Sequence, residues 1–177
     1  MSLTRYAFRG ITWRALSPLW AHDPLSGQGA GRHGGRFNPS GVIALYTSLD
    51  PATAMLEAQQ DFIRKAQPYT MAAFDVDCRD VVDLTSAAGC SEAAISAEEL
   101  ACPCLRLQME GEPVPTQQLA RRLIAAGIAG VFVPSFAPGA AVTGANLVLW
   151  DWGPEAPHRV TVVDDYGRFP VRPPGKP

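Results

Sequence analysis

The apolar residues of this chain are gathered into short runs, and run length is what restricts its fold. Ile43-Ala-Leu-Tyr-Thr47, Val131-Phe-Val133, Asn146-Leu-Val-Leu-Trp150 and Val160-Thr-Val-Val163 have strand length, and turn residues punctuate the chain between them. Thr70-Met-Ala-Ala-Phe-Asp-Val-Asp77 alternates only in part but is bounded in the same way. Helical periodicity occurs in two places. Asp50 is placed to cap a helix that has Pro51 at its first position and runs to about Ala66. Met55, Phe62, Ile63 and Ala66 share one face of it, with Leu56 at the margin, and Glu57, Gln60, Asp61 and Arg64 share the other. Thr116 is read as the cap of a second helix, with Leu119, Leu123 and Ile124 on one face and Gly127 as its stop. Residues 79–115 are polar, Ala-rich and broken by Pro, so they predict one short helix around Ala93–Leu100 and otherwise loop. The alternation of elements is too irregular for a doubly wound parallel sheet. The expected class is α+β, rich in strands.

With 177 residues and 47% hydrophobic content, the chain has the material for one domain with a proper core. That domain is expected to span 1–168, followed by an extended, Pro-rich basic tail over 169–177. A net charge of −2 argues against a general nucleic-acid binder, so direct nucleic-acid binding is not expected. No apolar run reaches membrane-spanning length, and MSLTRYAFRG lacks the apolar core of a signal peptide. Cys78, Cys90, Cys102 and Cys104 fit no zinc template, and a domain of this size needs no disulfide framework. His22 and His33 have no partners at ligand spacing, so no metal is expected either. These features describe a cytoplasmic protein with reduced thiols.

The stretch GAGRHGGRFNPSG, Gly29 to Gly41, packs five glycines around Arg32, His33, Arg36 and Asn38. Its backbone N–H groups and arginines suit an anion nest, and the same composition suits a surface turn with solvated arginines. It is neither a P-loop nor a dinucleotide fingerprint, since a strand follows it. Glu57 falls on the polar face of its helix, where glutamates are ordinarily solvated. Ser135 follows Pro134 at a strand end, and no Gly-x-Ser-x-Gly elbow supports a hydrolase triad. Tyr6, Phe8, Trp13 and Trp20 suit ring stacking on a ligand or ordinary packing.

Order along the chain is more specific than any single feature. Trp13-Arg14, Pro24-Leu-Ser-Gly-Gln-Gly-Ala30, Gly34-Gly-Arg-Phe-Asn38, Ala44-Leu-Tyr46, Glu57, Val133-Pro-Ser135 and Asn146-Leu-Val follow one another over residues 8 to 152. In this order the chain resembles the RES domain family, most closely over 24–57. The resemblance implies a fold similar to ADP-ribosyltransferase toxins, NAD as substrate, and the role of toxin in a bacterial toxin–antitoxin pair. It implies a helix-turn-helix, Xre-like antitoxin covering the site and leaves room for a protein target, while the basic Pro-rich tail and exposed aromatics leave room for homo-oligomers. By position, Arg36, Glu57, Tyr46 and Ser135 match catalytic positions of the family. Arg14, Arg32, Gly34, Gly35, Asn38 and Asn146 fall where NAD would be held, with Arg9 as an alternative to Arg14. The acceptor of ADP-ribose stays open between a protein side chain, phosphate and water. Two other readings stand beside this one: a non-catalytic module binding nucleotide or an anion, and an RNA-targeting toxin, which the acidic balance disfavours.

Overall fold

The computed structural model describes residues 3–60 and 68–171. In chain order these form β1 (Tyr6–Leu16), a 3-10 turn (Pro18–Trp20), α1 (Gln28–His33), β2 (Leu45–Ser48), α2 (Pro51–Gln59) and β3 (Thr70–Asp83). There follow α3 (Ala87–Glu92), α4 (Ala97–Leu100), α5 (Cys104–Glu110), α6 (Pro115–Ala125), β4 (Gly130–Pro134), β5 (Ala145–Leu149) and β6 (His158–Val162). Among the described residues, no helix is long and apolar enough to cross a membrane.

β3 organises the sheet. Ala72, Phe74, Val76 and Cys78 fall at the two-residue spacing of a pleated strand and are fully buried. β1 lies antiparallel along it, with Leu16 opposite Thr70 and Tyr6 opposite Val81. β6 pairs antiparallel with Phe74 to Cys78. At Asp80 the backbone enters the left-handed region, with φ of 56°. Aspartate tolerates this better than most residues. Beyond Asp80, Val81 to Asp83 pair in parallel with β4. Antiparallel pairs β4–β5 and β5–β2 carry the sheet onward, and β2 meets β1 at a single residue, Ser48 opposite Trp13. The five strands β1, β2, β5, β4 and β3 thereby close into a ring, with β6 outside it on β3.

Two cores share this ring. Leu45, Phe74, Val76, Leu147, Leu149 and Val160 form one. Leu84, Leu119, Leu123, Val131, Val148 and Trp150 form the other, against α6. Every residue of β5 is buried, because it faces a core on each side. Burial on both faces produces a continuous apolar run in place of alternation.

Most of the expected strands are present, within two residues of their expected ends. β1 was not anticipated, because Gly10, Thr12 and Arg14 interrupt its apolar pattern. Its backbone is held by β3 along its whole length. α2 starts as expected: Asp50 accepts bonds from the Thr53 N–H at 2.8 Å and the Thr53 hydroxyl at 2.6 Å. Its expected course over 61–66 lies outside the described residues. In α6, Val114 occupies the cap position and Pro115 the first turn, so Thr116 does not cap it. The other end matches: Ile128 N–H reaches Leu123 C=O at 3.0 Å and Gly127 N–H reaches Ile124 C=O at 2.9 Å. With Gly127 at φ 71°, this is a Schellman stop.

Residues 79–115 depart most from expectation. Val81 and Val82 prolong β3, and three short helices follow in place of one. Serine caps start two of them: Ser86 on Gly89, and Ser96 on Glu99 in a reciprocal capping box. At the C-terminus, Phe169 packs against the first core and its N–H donates to Asp164 at 3.0 Å. Residues 172–177 of the expected tail lie outside the described residues.

Candidate active site

A cleft opens where β1 and β2 part. Beyond the Trp13–Ser48 pair the two strands diverge, and Trp13, Arg14, Tyr46, Ser48, Glu57 and Asn146 line a lobe of about 230 Å³. A second lobe of about 330 Å³ lies beside it, bounded by Gly35, Arg36, Gln60, Cys104 and Phe136. Tyr46, Glu57 and Asn146 border both lobes, so they stand at the junction.

Glu57 is half-buried rather than solvated. Its Oε1 accepts the Ser135 hydroxyl at 2.6 Å and Asn146 Nδ2 at 2.6 Å, and Gln60 Nε2 donates to its Oε2. Apolar periodicity assigned this side chain to the outer face. The inward face of α2 begins instead with Thr53 and Ala54, both buried, and Glu57 is one turn further along it. Small and polar residues on that face hide it from a hydrophobic count. Ser135 continues β4 past its end, held by its own N–H on Gly144 C=O at 2.8 Å. Asn146, itself buried, lies on the neighbouring β5 opposite Val133, and its Oδ1 accepts the Ser48 hydroxyl at 2.7 Å.

Arg14 and Arg36 border one lobe each. Burial lowers the pKa of the Arg14 guanidinium from its ordinary value, partly offset by the charge of Asp23. Arg14 Nη1 donates to the carbonyls of Pro24 at 3.2 Å and Ser26 at 3.0 Å. Arg36 Nη1 donates to Leu100 C=O at 3.0 Å and Cys102 C=O at 2.6 Å, and the guanidinium lies 4.5 Å from the Phe136 ring centroid. One terminal nitrogen of each arginine is thus fixed by backbone, and the other makes no hydrogen bond to the described residues. Arg9 is exposed and paired with Asp77 at 2.5 Å, so Arg14 rather than Arg9 borders the cleft. Arg32 is exposed on α1 and borders neither lobe.

The glycine-rich stretch is not an open nest. Its first half is helical, as α1. The following N–H groups are used within the protein: Gly34 on Ala30 C=O at 2.8 Å, Gly35 on Asn38 C=O at 2.8 Å, and Phe37 on the Tyr46 hydroxyl at 2.9 Å. An anion nest needs successive free donors. Asn38 is fully buried, its Nδ2 donating to Ala30 C=O at 2.9 Å and Val42 C=O at 2.8 Å, and its Oδ1 accepting the Tyr46 hydroxyl at 2.7 Å. Asn38 therefore staples the loop from behind and borders neither lobe. Tyr46 gives its hydroxyl to the same staple, with its phenol pKa pushed up by burial, and borders the cleft as well. Gly34, at φ 73°, ends α1 in a conformation that favours glycine.

Three further residues hold this loop, none of them read as a site residue in the sequence. Gln117 Nε2 donates to Gly35 C=O at 2.8 Å, the Thr116 hydroxyl to Arg36 C=O at 2.5 Å, and Trp150 Nε1 to Phe37 C=O at 2.8 Å. Their only signal is a polar head at a largely buried position. Of the four aromatics considered for stacking, Trp13 borders the cleft, whereas Tyr6, Phe8 and Trp20 border neither lobe.

Comparison with protein families matches a model described as RES domain over residues 11–172. Comparison with curated proteins gives no match. Among solved structures, the chain is similar to one in the crystal structure of the M. tuberculosis MbcT–MbcA toxin–antitoxin complex. The likeness covers 90% of this chain and 84% of that one, at 20% identity and a TM-score of 0.58, and concerns the fold.

Proposed function

The chain belongs to the RES domain family, and from that premise we propose that it is a toxin of a toxin–antitoxin pair that cleaves NAD at the nicotinamide–ribose bond. The observation that carries the reading is the Glu57 carboxylate at the junction of two lobes, with one oxygen bound by Ser135 and Asn146 and an arginine beside each lobe.

Nicotinamide leaves NAD as a neutral ring, so the bond breaks without a general acid. Positive charge then builds on the ribose carbon, as in glycoside hydrolysis. A carboxylate at the junction stabilises that charge and accepts a hydrogen bond from a ribose hydroxyl. Arg14 and Arg36 supply guanidinium donors for the pyrophosphate. Tyr46 offers a ring at the junction for the nicotinamide, and Ser135 and Asn146 hold Glu57 in place. ADP-ribose is passed to a protein side chain or to phosphate. The M. tuberculosis chain of similar fold comes from a toxin–antitoxin complex, which supports an antitoxin partner here. Such a partner would silence the toxin by covering the cleft.

The test is incubation of the purified protein with NAD, with and without phosphate and with cell lysate. Nicotinamide release supports the reading, and its dependence on phosphate or the labelling of a lysate protein identifies the acceptor. Binding of NAD without release would make the protein a non-catalytic module. Glu57→Gln should lower release by about 100-fold or more, given the usual worth of a preorganised electrostatic group.

A further inference from the structure

We propose that Ser48 is a positioning residue that holds the Asn146 amide in place and, through it, Glu57. The inference rests on Glu57 acting on NAD as described above. An asparagine side chain has a donor end and an acceptor end of almost the same shape. A carboxylate only accepts, so Asn146 helps Glu57 in one of its two orientations and repels it in the other.

The Glu57 carboxylate selects the donor end, and Ser48 holds the amide in that orientation from the other side. Its hydroxyl donates to Asn146 Oδ1 at 2.7 Å, which leaves Nδ2 facing Glu57 Oε1 at 2.6 Å. Ser48 and Asn146 are directly opposite in the β2–β5 register, so their side chains share one face of the sheet. Ser48 is 3% exposed and Asn146 9%, so little water is available to replace the bond. Ser48 is also the one residue at which β2 pairs with β1, which anchors its backbone where the cleft begins. Flipping the amide would set Asn146 Oδ1 against the Glu57 carboxylate, and without the Ser48 hydroxyl the buried Oδ1 would lose its donor.

Two readouts test this. In the full-length protein, the Asn146 side-chain NH₂ signals, assigned by NMR through their loss in Asn146→Ala, should be slowly exchanging. Ser48→Ala should shift them and speed their exchange. Nicotinamide release should show kcat reduced about tenfold in Ser48→Ala with KM nearly unchanged, because the residue acts on the reacting group and not on NAD binding. In the Asn146→Ala background, Ser48→Ala should cause no further loss, since residues acting through one another are non-additive. Unchanged Asn146 signals in Ser48→Ala overturn the proposal, and so do losses that simply multiply. If the native protein releases no nicotinamide, the NAD reading fails on its own, and the Asn146 signals still decide whether Ser48 holds the amide.

Discussion

The Tyr46 hydroxyl and Asn38 Oδ1 meet at 2.7 Å, beside the point where a Cβ on Gly35 would lie 2.7 Å from each of them. The glycine is what lets the loop close over its own staple. Gly35→Ala should therefore destabilise the protein by about 1–3 kcal/mol, the usual cost of overpacking. Tyr46→Phe should cost about 1–3 kcal/mol by leaving Asn38 Oδ1 and the Phe37 N–H without their partner. Combining the two should cost less than the sum, because removing the hydroxyl relieves part of the clash. Denaturant titration of the four proteins reads the coupling directly.

Tyr46 also makes the stability pH-dependent on the alkaline side. Burial disfavours its phenolate, so the folded chain holds the proton to higher pH than the unfolded chain does. The contribution is complete below the ordinary tyrosine value of about 10 and declines as pH rises above it. Tyr46→Phe should flatten the thermal-stability profile above pH 10, relative to the native chain. An unchanged slope would mean that other groups govern the alkaline limb.

Asp50 acts at the opposite end of the scale. Its bonds from the Thr53 hydroxyl and N–H lower its pKa, so its contribution is present above the ordinary aspartate value and lost as pH falls below it. Asp50→Ala should lower stability by about 1 kcal/mol at neutral pH, and Asp50→Asn by much less, since asparagine caps as well. The asparagine variant should lose less stability than the native chain between pH 5 and pH 3. Because Asp50 starts the helix that carries Glu57, Asp50→Ala is also expected to reduce nicotinamide release.

Thr12 presents a hydroxyl that is fully buried and has no hydrogen-bond partner among the described residues. Thr12→Val keeps the shape and removes the unsatisfied group, so it should stabilise the protein by about 1 kcal/mol. Thr12 borders neither lobe, so turnover should be unaffected. A fall in melting temperature would reveal a bond that the hydroxyl makes in solution.

The thiols should differ in reactivity. Burial pushes the Cys78 thiol up to about 12, and the side chain is fully buried. The thiolate is the nucleophile, so Cys78 should resist iodoacetamide in the native state, while half-exposed Cys104 is labelled. Peptide mass mapping at neutral pH checks the order. Labelling of Cys78 at the rate of Cys104 would show that β3 opens far more readily than its burial suggests.

Order along the chain singled out residues that lie together in the fold, whereas several elements escaped local pattern. Arg14, Arg36, Glu57 and Asn146 lie far apart in the chain and border one cleft, and Ser135 bonds Glu57 there. Local physics alone misplaced Glu57, because helical periodicity counts apolar residues and the inward face of α2 starts with Thr53 and Ala54. The glycine-rich loop misled for a related reason. Composition shows where a backbone can approach something, and here it approaches Tyr46 and Asn38 of its own chain. β1 escaped notice because its regularity comes from a partner strand about sixty residues away. The helices between Leu84 and Pro115 are too short for periodicity, although the Ser96–Glu99 capping box was there to be read.

β5 faces a core on each side, and that has a kinetic meaning. Its amides are released only when both cores loosen together, so they should be the last in the protein to exchange with deuterium. Asn146 is on this strand. One of the donors to the Glu57 carboxylate is thus tied to what should be the slowest-opening part of the molecule, so breathing elsewhere would leave that donor in place.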